Sequence, residues 1–141
     1  MQKIIDGGMF DSTSVVETVD GFPRGDKAVD AAFFARMLRC FYRDGVLRPT
    51  DGGLAVVPAG GGIAVQVRPG VAWIGGRMAY LDEAASFTLT AGHLYAVTLR
   101  LDLDLRRFTI EVEEDTGTAP LRGTTVTELL LARVNVPMQA T

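Results

Sequence analysis

The chain has 141 residues, of which 48% are hydrophobic and 22% charged, and this composition is typical of one packed globular domain. Its net charge of −3 argues against a nucleic-acid-binding surface, and its single cysteine excludes an internal disulfide. No apolar run approaches the roughly 20 residues that span a bilayer, so the sequence predicts a soluble protein without membrane insertion. Residues 1–8 lack the apolar core of a signal peptide, which predicts synthesis in a cytoplasm.

Residues 1–25 are rich in glycine, aspartate, serine and threonine and are predicted to form an N-terminal arm. Within the arm, residues 14–19 form a candidate strand, and Gly21–Gly25 are predicted to form a loop. Asp26 is placed to cap the following helix, because its carboxylate can accept an unpaired backbone N–H. We therefore expect one domain over residues 1–141, divided into the arm 1–25, a helical segment 26–45, a β-rich core 46–137 and a tail 138–141.

The helix is predicted over Lys27–Arg43 and is expected to end at Gly45. One apolar stripe at helical spacing consists of Val29, Phe33, Met37 and Cys40. The apolar surface is widened well beyond that stripe by Ala31, Phe34, Ala35, Leu38 and Phe41. Because one sheet covers only one side of a helix, either a second layer of this chain or another subunit must cover the rest. Cys40 is expected to be a small buried hydrophobe rather than a nucleophile.

The centre of the chain is the segment 46–81, which has three short apolar runs separated by glycine and proline. Val65 and Val67 alternate with polar neighbours, as a half-buried strand requires. The Pro69–Gly70 pair is predicted to turn the chain, because proline fixes φ and glycine accepts positive φ. The pattern predicts a β-meander in this segment. Trp73, the single tryptophan, is expected to pack in the core.

Further strands are predicted over residues 86–90, 94–101, 107–113 and 128–136. The strands 94–101 and 107–113 alternate most clearly and are joined by the loop 102–106. This pattern predicts a hairpin with one solvent-exposed face. The last strand is predicted to place four side chains on one face, namely Leu130, Ala132, Val134 and Val136. The predicted fold class is mainly β (α+β): an antiparallel β-sandwich or meander with one N-terminal α-helix packed on it.

No group of residues has the spacing of a known catalytic or metal site. His93 is the single histidine and has no evident partner, so a solvent-exposed turn position is expected. The triplet Gly60–Gly62 lacks the lysine of a phosphate loop. Two groups of acidic residues are predicted to be solvated surface: Asp102 with Asp104, and Glu111, Glu113, Glu114 with Asp115. We therefore assign no catalytic, cofactor-binding or metal-binding residue and predict a non-enzymatic protein.

Several short motifs occur in an order that is typical of one family. The most specific is Arg68-Pro69-Gly70-Val71-Ala72-Trp73-Ile74-Gly75-Gly76. The others are Phe10-Asp11-Ser12, Tyr42–Leu47, Gly53–Val57, Val97–Asp102 with Arg106–Ile110, and Leu131–Pro137. In this order the chain resembles the N-terminal structural domain of tailed-phage baseplate proteins, of the upper-baseplate and receptor-binding-protein-associated type.

The resemblance implies a structural virion component of a phage tail baseplate or tail-like particle, which anchors a fibre or receptor-binding module. It implies a homo-oligomer that contacts other baseplate proteins, needs no cofactor and functions in the virion after synthesis in the bacterial cytoplasm. Host-surface glycans would then be reached through a distal module, which relatives carry after the position of Thr141. The residues also leave a second hypothesis open, a glycan-binding module that uses the aromatic side chains of Trp73, Tyr80 and Tyr95.

Overall fold

In a computed structural model of the chain, the described residues are 15–19, 22–25, 31–47 and 52–138, and they form eleven strands and one helix. The N-terminal elements are β1 (Val15–Val19), β2 (Phe22–Gly25), α1 (Ala31–Phe41) and β3 (Gly45–Leu47). The central strands are β4 (Val56–Pro58), β5 (Ala64–Val67), β6 (Gly70–Ile74), β7 (Arg77–Leu81) and β8 (Ala85–Thr88). The last strands are β9 (Leu94–Asp102), β10 (Arg107–Glu114) and β11 (Val126–Asn135). The predicted mainly β fold class is confirmed.

The described strands form three three-stranded antiparallel sheets, with strand orders β3-β6-β7, β4-β5-β8 and β10-β9-β11, and a separate hairpin of β1 and β2. The predicted single meander does not form, because β5 and β6 lie in different sheets. The carbonyl of Pro69 accepts hydrogen bonds from the backbone N–H groups of Gly52 (2.9 Å) and Leu54 (3.3 Å). These bonds attach the Pro69 bend to the preceding turn. At this bend the chain leaves the β4-β5-β8 sheet and enters the β3-β6-β7 sheet.

The N-terminal elements differ from the sequence predictions in two places. The strand predicted from residue 14 is confirmed over Val15–Val19, but the loop predicted at Gly21–Gly25 is wrong, since Phe22–Gly25 pair with it as β2. Pro23 is tolerated within β2 because β2 is an edge strand of the two-stranded sheet. The helix ends at Phe41 rather than Arg43, and Gly45 belongs to β3. Asp26 and Val29 lie outside the described residues.

The core lies between the sheets and is made of aliphatic side chains. Four of its residues have no solvent exposure: Val67, Ala72, Ile74 and Val97. A smaller cluster of Val65, Leu89 and Val136 packs beside it, and both clusters contact the half-buried Val56, Phe87, Val112 and Val134. The alternation that predicted an inward face for Val65 and Val67 is therefore confirmed.

A β-bulge at Leu131 changes which side chains of β11 face the core. The register to β9 shifts between Leu130 and Ala132, so one residue of β11 has no partner there. Leu129 and the unpaired Leu131 pack against the core, and so do Val134 and Val136 after the bulge. Ala132 pairs with the buried Val97 and therefore lies on the core side, as Val134 does. The prediction that Leu130 shares their face is wrong, because the extra residue in the strand reverses its alternation.

The helix is seated on the turn between β6 and β7. Gly76 has φ of +73°, and a β-carbon placed on it would lie 2.1 Å from the carbonyl oxygen of Ala35. Ala35 is buried, with 5% of its surface exposed. Only a glycine permits this approach, because any side chain at the turn would displace the helix.

We predict that Gly76→Ala destabilises the protein by at least about 2 kcal/mol, since it adds a steric clash with α1 to the strain of a positive φ. Gly117→Ala is the matched control, because Gly117 has φ of +78° and no atom within 4 Å of its added β-carbon. The control should lose only about 1 kcal/mol. Urea unfolding measures both values, and equal losses would contradict the close packing of α1 on this turn.

Candidate interaction surface

Asp44 connects the end of the helix to two distant parts of the chain. One carboxylate oxygen accepts a hydrogen bond from the backbone N–H of Gly75 at 2.8 Å. The other lies 2.6 Å from a guanidinium nitrogen of Arg122, in the loop before β11. Because both oxygens are used, Asp44 holds the residues that follow α1 against the β6–β7 turn.

The helix exposes an apolar stripe. Phe34 is 47% exposed and Phe41 is 75% exposed, seven residues apart on one face, with the half-buried Met37 and Leu38 between them. Only Ala35 is buried among the helix residues whose side chains are described. Cys40 is exposed, so the prediction of a buried cysteine is wrong. Its thiol donates to the backbone carbonyl of Arg36 at 3.5 Å.

A second apolar surface lies on the side of the β3-β6-β7 sheet that faces away from the core. Directly paired residues share a face of a sheet, and the pairs here form two rows across the strands. The rows are Leu47–Val71–Tyr80 and Gly45–Trp73–Met78. Met78 is 51% exposed and Tyr80 is 66% exposed. We call this surface the outer face, and none of the residues in its two rows is charged.

Tyr42 joins the helix stripe to the outer face. Its ring stacks on that of Trp73, with ring centres 5.5 Å apart and planes 5° from parallel. Tyr42 is 52% exposed and Trp73 is half-buried, so the expectation that Trp73 packs in the core is wrong. The reason is the register of β6, in which Ala72 and Ile74 take the inward positions.

The structure separates the three aromatic residues proposed from the sequence for glycan binding. Trp73 and Tyr80 lie on the outer face, on diagonal positions of neighbouring strands. Tyr95 lies in the β10-β9-β11 sheet, where its hydroxyl accepts a hydrogen bond from the backbone N–H of Thr90 at 3.1 Å. Tyr42 was not predicted, although its place directly after an apolar helix was a usable signal.

The titratable groups singled out in the sequence form local contacts. A ring nitrogen of His93 lies 2.6 Å from a carboxylate oxygen of Glu114, and both side chains are solvent-exposed. Asp102 accepts a hydrogen bond from the backbone N–H of Leu105 at 2.9 Å, which stabilises the β9–β10 turn. Glu111 pairs with Arg100 at 3.3 Å. Within the described residues, no three histidine, cysteine, aspartate or glutamate side chains are arranged to hold a metal ion.

Asp115 stands apart from the other members of its acidic group, because its side chain is only 5% exposed. It accepts hydrogen bonds from the backbone N–H of Gly117 at 2.8 Å and from the guanidinium of Arg133 on β11. These two donors, the Gly117 N–H above all, hold the pKa of Asp115 below the ordinary value of 3.8. The pair fastens residues 115–121 over a polar cavity of about 300 Å³ on the β10-β9-β11 sheet.

We predict that Asp115→Asn destabilises the protein at neutral pH and flattens the acid side of its stability profile. A carboxyl whose pKa is lowered in the folded state adds stability above its ordinary pKa, and that stability is lost as the pH falls below 3.8. The difference in urea midpoint between wild type and variant should therefore be large near about pH 7 and small near about pH 2.5. Glu113→Gln is the control, because Glu113 is an exposed carboxylate of β10. If the difference in urea midpoint between wild type and Asp115→Asn stayed constant with pH, the lowered pKa of Asp115 would be contradicted.

Within the described part of the chain, no helix combines the length and apolar character needed to cross a bilayer. Comparisons of the chain with protein-family models, with curated proteins and with solved structures gave no match.

The structure brings together the helix stripe, the Tyr42–Trp73 stack and the outer face. These three features form the candidate interaction surface.

Proposed function

We propose that this protein is a non-enzymatic structural component of a phage tail baseplate or tail-like particle, which self-associates and anchors a fibre or receptor-binding module. The order of motifs around Arg68–Gly76 supports the family, and the exposed apolar surface of the helix supports assembly. The observation that carries the proposal is the exposure of Phe34 and Phe41 on a helix whose buried Ala35 packs on the β6–β7 turn.

The cost of leaving this surface in water favours a partner. A fully buried phenylalanine gains about 1.5–3 kcal/mol relative to an exposed one, and contiguous apolar patches of several hundred Å² on proteins commonly mark interaction sites. Tyr42 extends the patch from the helix to the outer face, where Met78 and Tyr80 are exposed as well. Copies of this chain or neighbouring tail proteins that cover the patch would recover this free energy.

The alternative, a glycan-binding module, is supported less well by the same surface. A sugar site combines an aromatic platform with polar groups that are free to bond the hydroxyls. Next to the Tyr42–Trp73 stack, both oxygens of Asp44 are already used by Gly75 and Arg122. An apolar surface beside a carboxylate that is already bonded suits a protein partner better than a sugar.

We predict that the wild-type chain sediments as more than a monomer at micromolar concentration, and that Phe34→Ser/Phe41→Ser weakens its self-association at least about tenfold. The fold should be retained, because neither ring is buried. Leu121→Ser is the control, since Leu121 is also exposed but lies in the loop before β11. Light scattering coupled to size exclusion measures the mass, and a monomeric wild type at about 100 µM would overturn the proposal.

The virion assignment has a separate test. Antibodies raised against the purified chain should label one end of phage tails or tail-like particles from cells that encode it, as seen by immunogold electron microscopy. Particles purified by density gradient should retain the chain after a high-salt wash, because an apolar interface is not weakened by screening. Absence of the chain from such particles, together with its recovery in the soluble cell extract, would contradict the assignment.

A further inference from the structure

We propose that a cleft lined by Arg77, Arg106 and Arg107 in one copy binds the acidic turn Asp82–Glu83 of a second copy. This contact would give the assembly its direction. It rests on the self-association proposed above and names a surface separate from the helix stripe and the outer face.

The cleft has a volume of about 550 Å³, within the range of roughly 300–1,000 Å³ that is usual for binding pockets. Its remaining lining is apolar and consists of Ala32, Leu101, Leu103 and Phe108. No acidic side chain lines it. We call it the arginine cleft. Its apolar walls lower the local dielectric, so a carboxylate that enters interacts more strongly there than at an open surface.

The three arginines have no carboxylate partner among the described residues. Every arginine ion pair in that part of the chain belongs to Arg100, Arg122 or Arg133. Arg77 donates only to the backbone carbonyl of Gly75, at 3.3 Å. In a chain of net charge −3, three arginines that line one cleft without forming an ion pair leave a local excess of positive charge.

Two carboxylates lie near Arg107 in a smaller adjacent cleft, and both already have partners. Glu111 accepts hydrogen bonds from Arg100 and from the hydroxyl of Thr109 at 3.0 Å, and Asp102 accepts one from Leu105. Neither carboxylate forms an ion pair with Arg107. The guanidinium of Arg107 is therefore available to a carboxylate from outside the chain.

The backbone at Arg106 is consistent with a functional position. Its φ is +51°, in the left-handed region that favours glycine. This strained residue ends the four-residue turn between β9 and β10, where a glycine would fit without strain. Residues held in such strained backbone conformations cluster at functional sites.

The complementary charge lies at the other end of β7. Asp82 and Glu83 are both exposed, directly after Leu81, and neither forms an ion pair with a described residue. Arg77 begins the same strand, so at about 3.3 Å per residue Asp82 lies roughly 16 Å away. Arg77 and Asp82 therefore cannot form an ion pair within one chain, and Arg106 and Arg107 form none with Asp82 or Glu83.

Opposite charges at the two ends of one strand suit a head-to-tail contact between copies. Each copy would offer its arginine cleft to one neighbour and its acidic turn to another. Such a heterologous interface closes into a ring when the rotation between copies allows it. Arginine and carboxylate groups can also form paired hydrogen bonds, which adds orientation to the attraction.

The test uses two full-length variants that reverse the charge of one side each. Arg106→Glu/Arg107→Glu makes the cleft acidic, and Asp82→Arg/Glu83→Arg makes the turn basic. Each variant alone should lose at least about tenfold in self-association, because it meets only like charges at this contact. An equimolar mixture should associate again, since the basic turn of one variant fits the acidic cleft of the other. Sedimentation velocity at low and high salt measures both results, and circular dichroism confirms folding.

Arg106→Glu and Arg68→Glu form a matched pair of single variants, because Arg68 is exposed and lies outside the arginine cleft. Only the first should weaken association. A wild type that self-associates without sensitivity to either charge reversal would overturn this inference and leave the proposed function in place. A wild type that stays monomeric would overturn both. Reversed variants that lose association without recovery on mixing would overturn the pairing of the arginine cleft with the Asp82–Glu83 turn of a second copy.

Discussion

The arrangement of this protein depends on the contact between α1 and the β6–β7 turn. Gly76 lets the backbone of Ala35 approach closely, and Asp44 fastens the end of the helix through the N–H of Gly75. The second oxygen of Asp44 reaches Arg122, which is 78 positions later in the sequence. One carboxylate thus connects the helix, the β3-β6-β7 sheet and the loop before β11.

This small contact explains why the apolar residues of the helix remain exposed. The glycine turn contacts only a small part of the helix, so it covers Ala35 and leaves Phe34 and Phe41 in solvent. The same contact between the helix and the turn places Tyr42 over Trp73, and this stack joins the helix stripe to the outer face of the sheet. The exposed apolar surface is therefore a consequence of how the helix is held, and it is the feature on which the proposed assembly depends.

Two kinds of force would act between copies in the proposed assembly. The helix stripe and the outer face supply apolar area, which contributes free energy without much direction. The arginine cleft and the Asp82–Glu83 turn supply charges at opposite ends of β7, which favour one relative orientation of neighbours. A directional contact of modest strength beside a larger apolar contact is a workable basis for a closed ring.

Local alternation in the sequence determined much of the fold, namely the mainly β class, the β9–β10 hairpin, the inward face of Val65 and Val67, and the apolar excess of the helix. Such patterns are readable because each residue's neighbours lie two or four positions away. Tertiary structure decided the rest: the bulge at Leu131, the change of sheet at Pro69, the position of the half-buried Trp73 on the outer face and the exposure of Cys40. The cleft that Arg77 lines together with Arg106 and Arg107 belongs to the same group. These features depend on hydrogen bonds and packing between segments far apart in the chain, which no local pattern records.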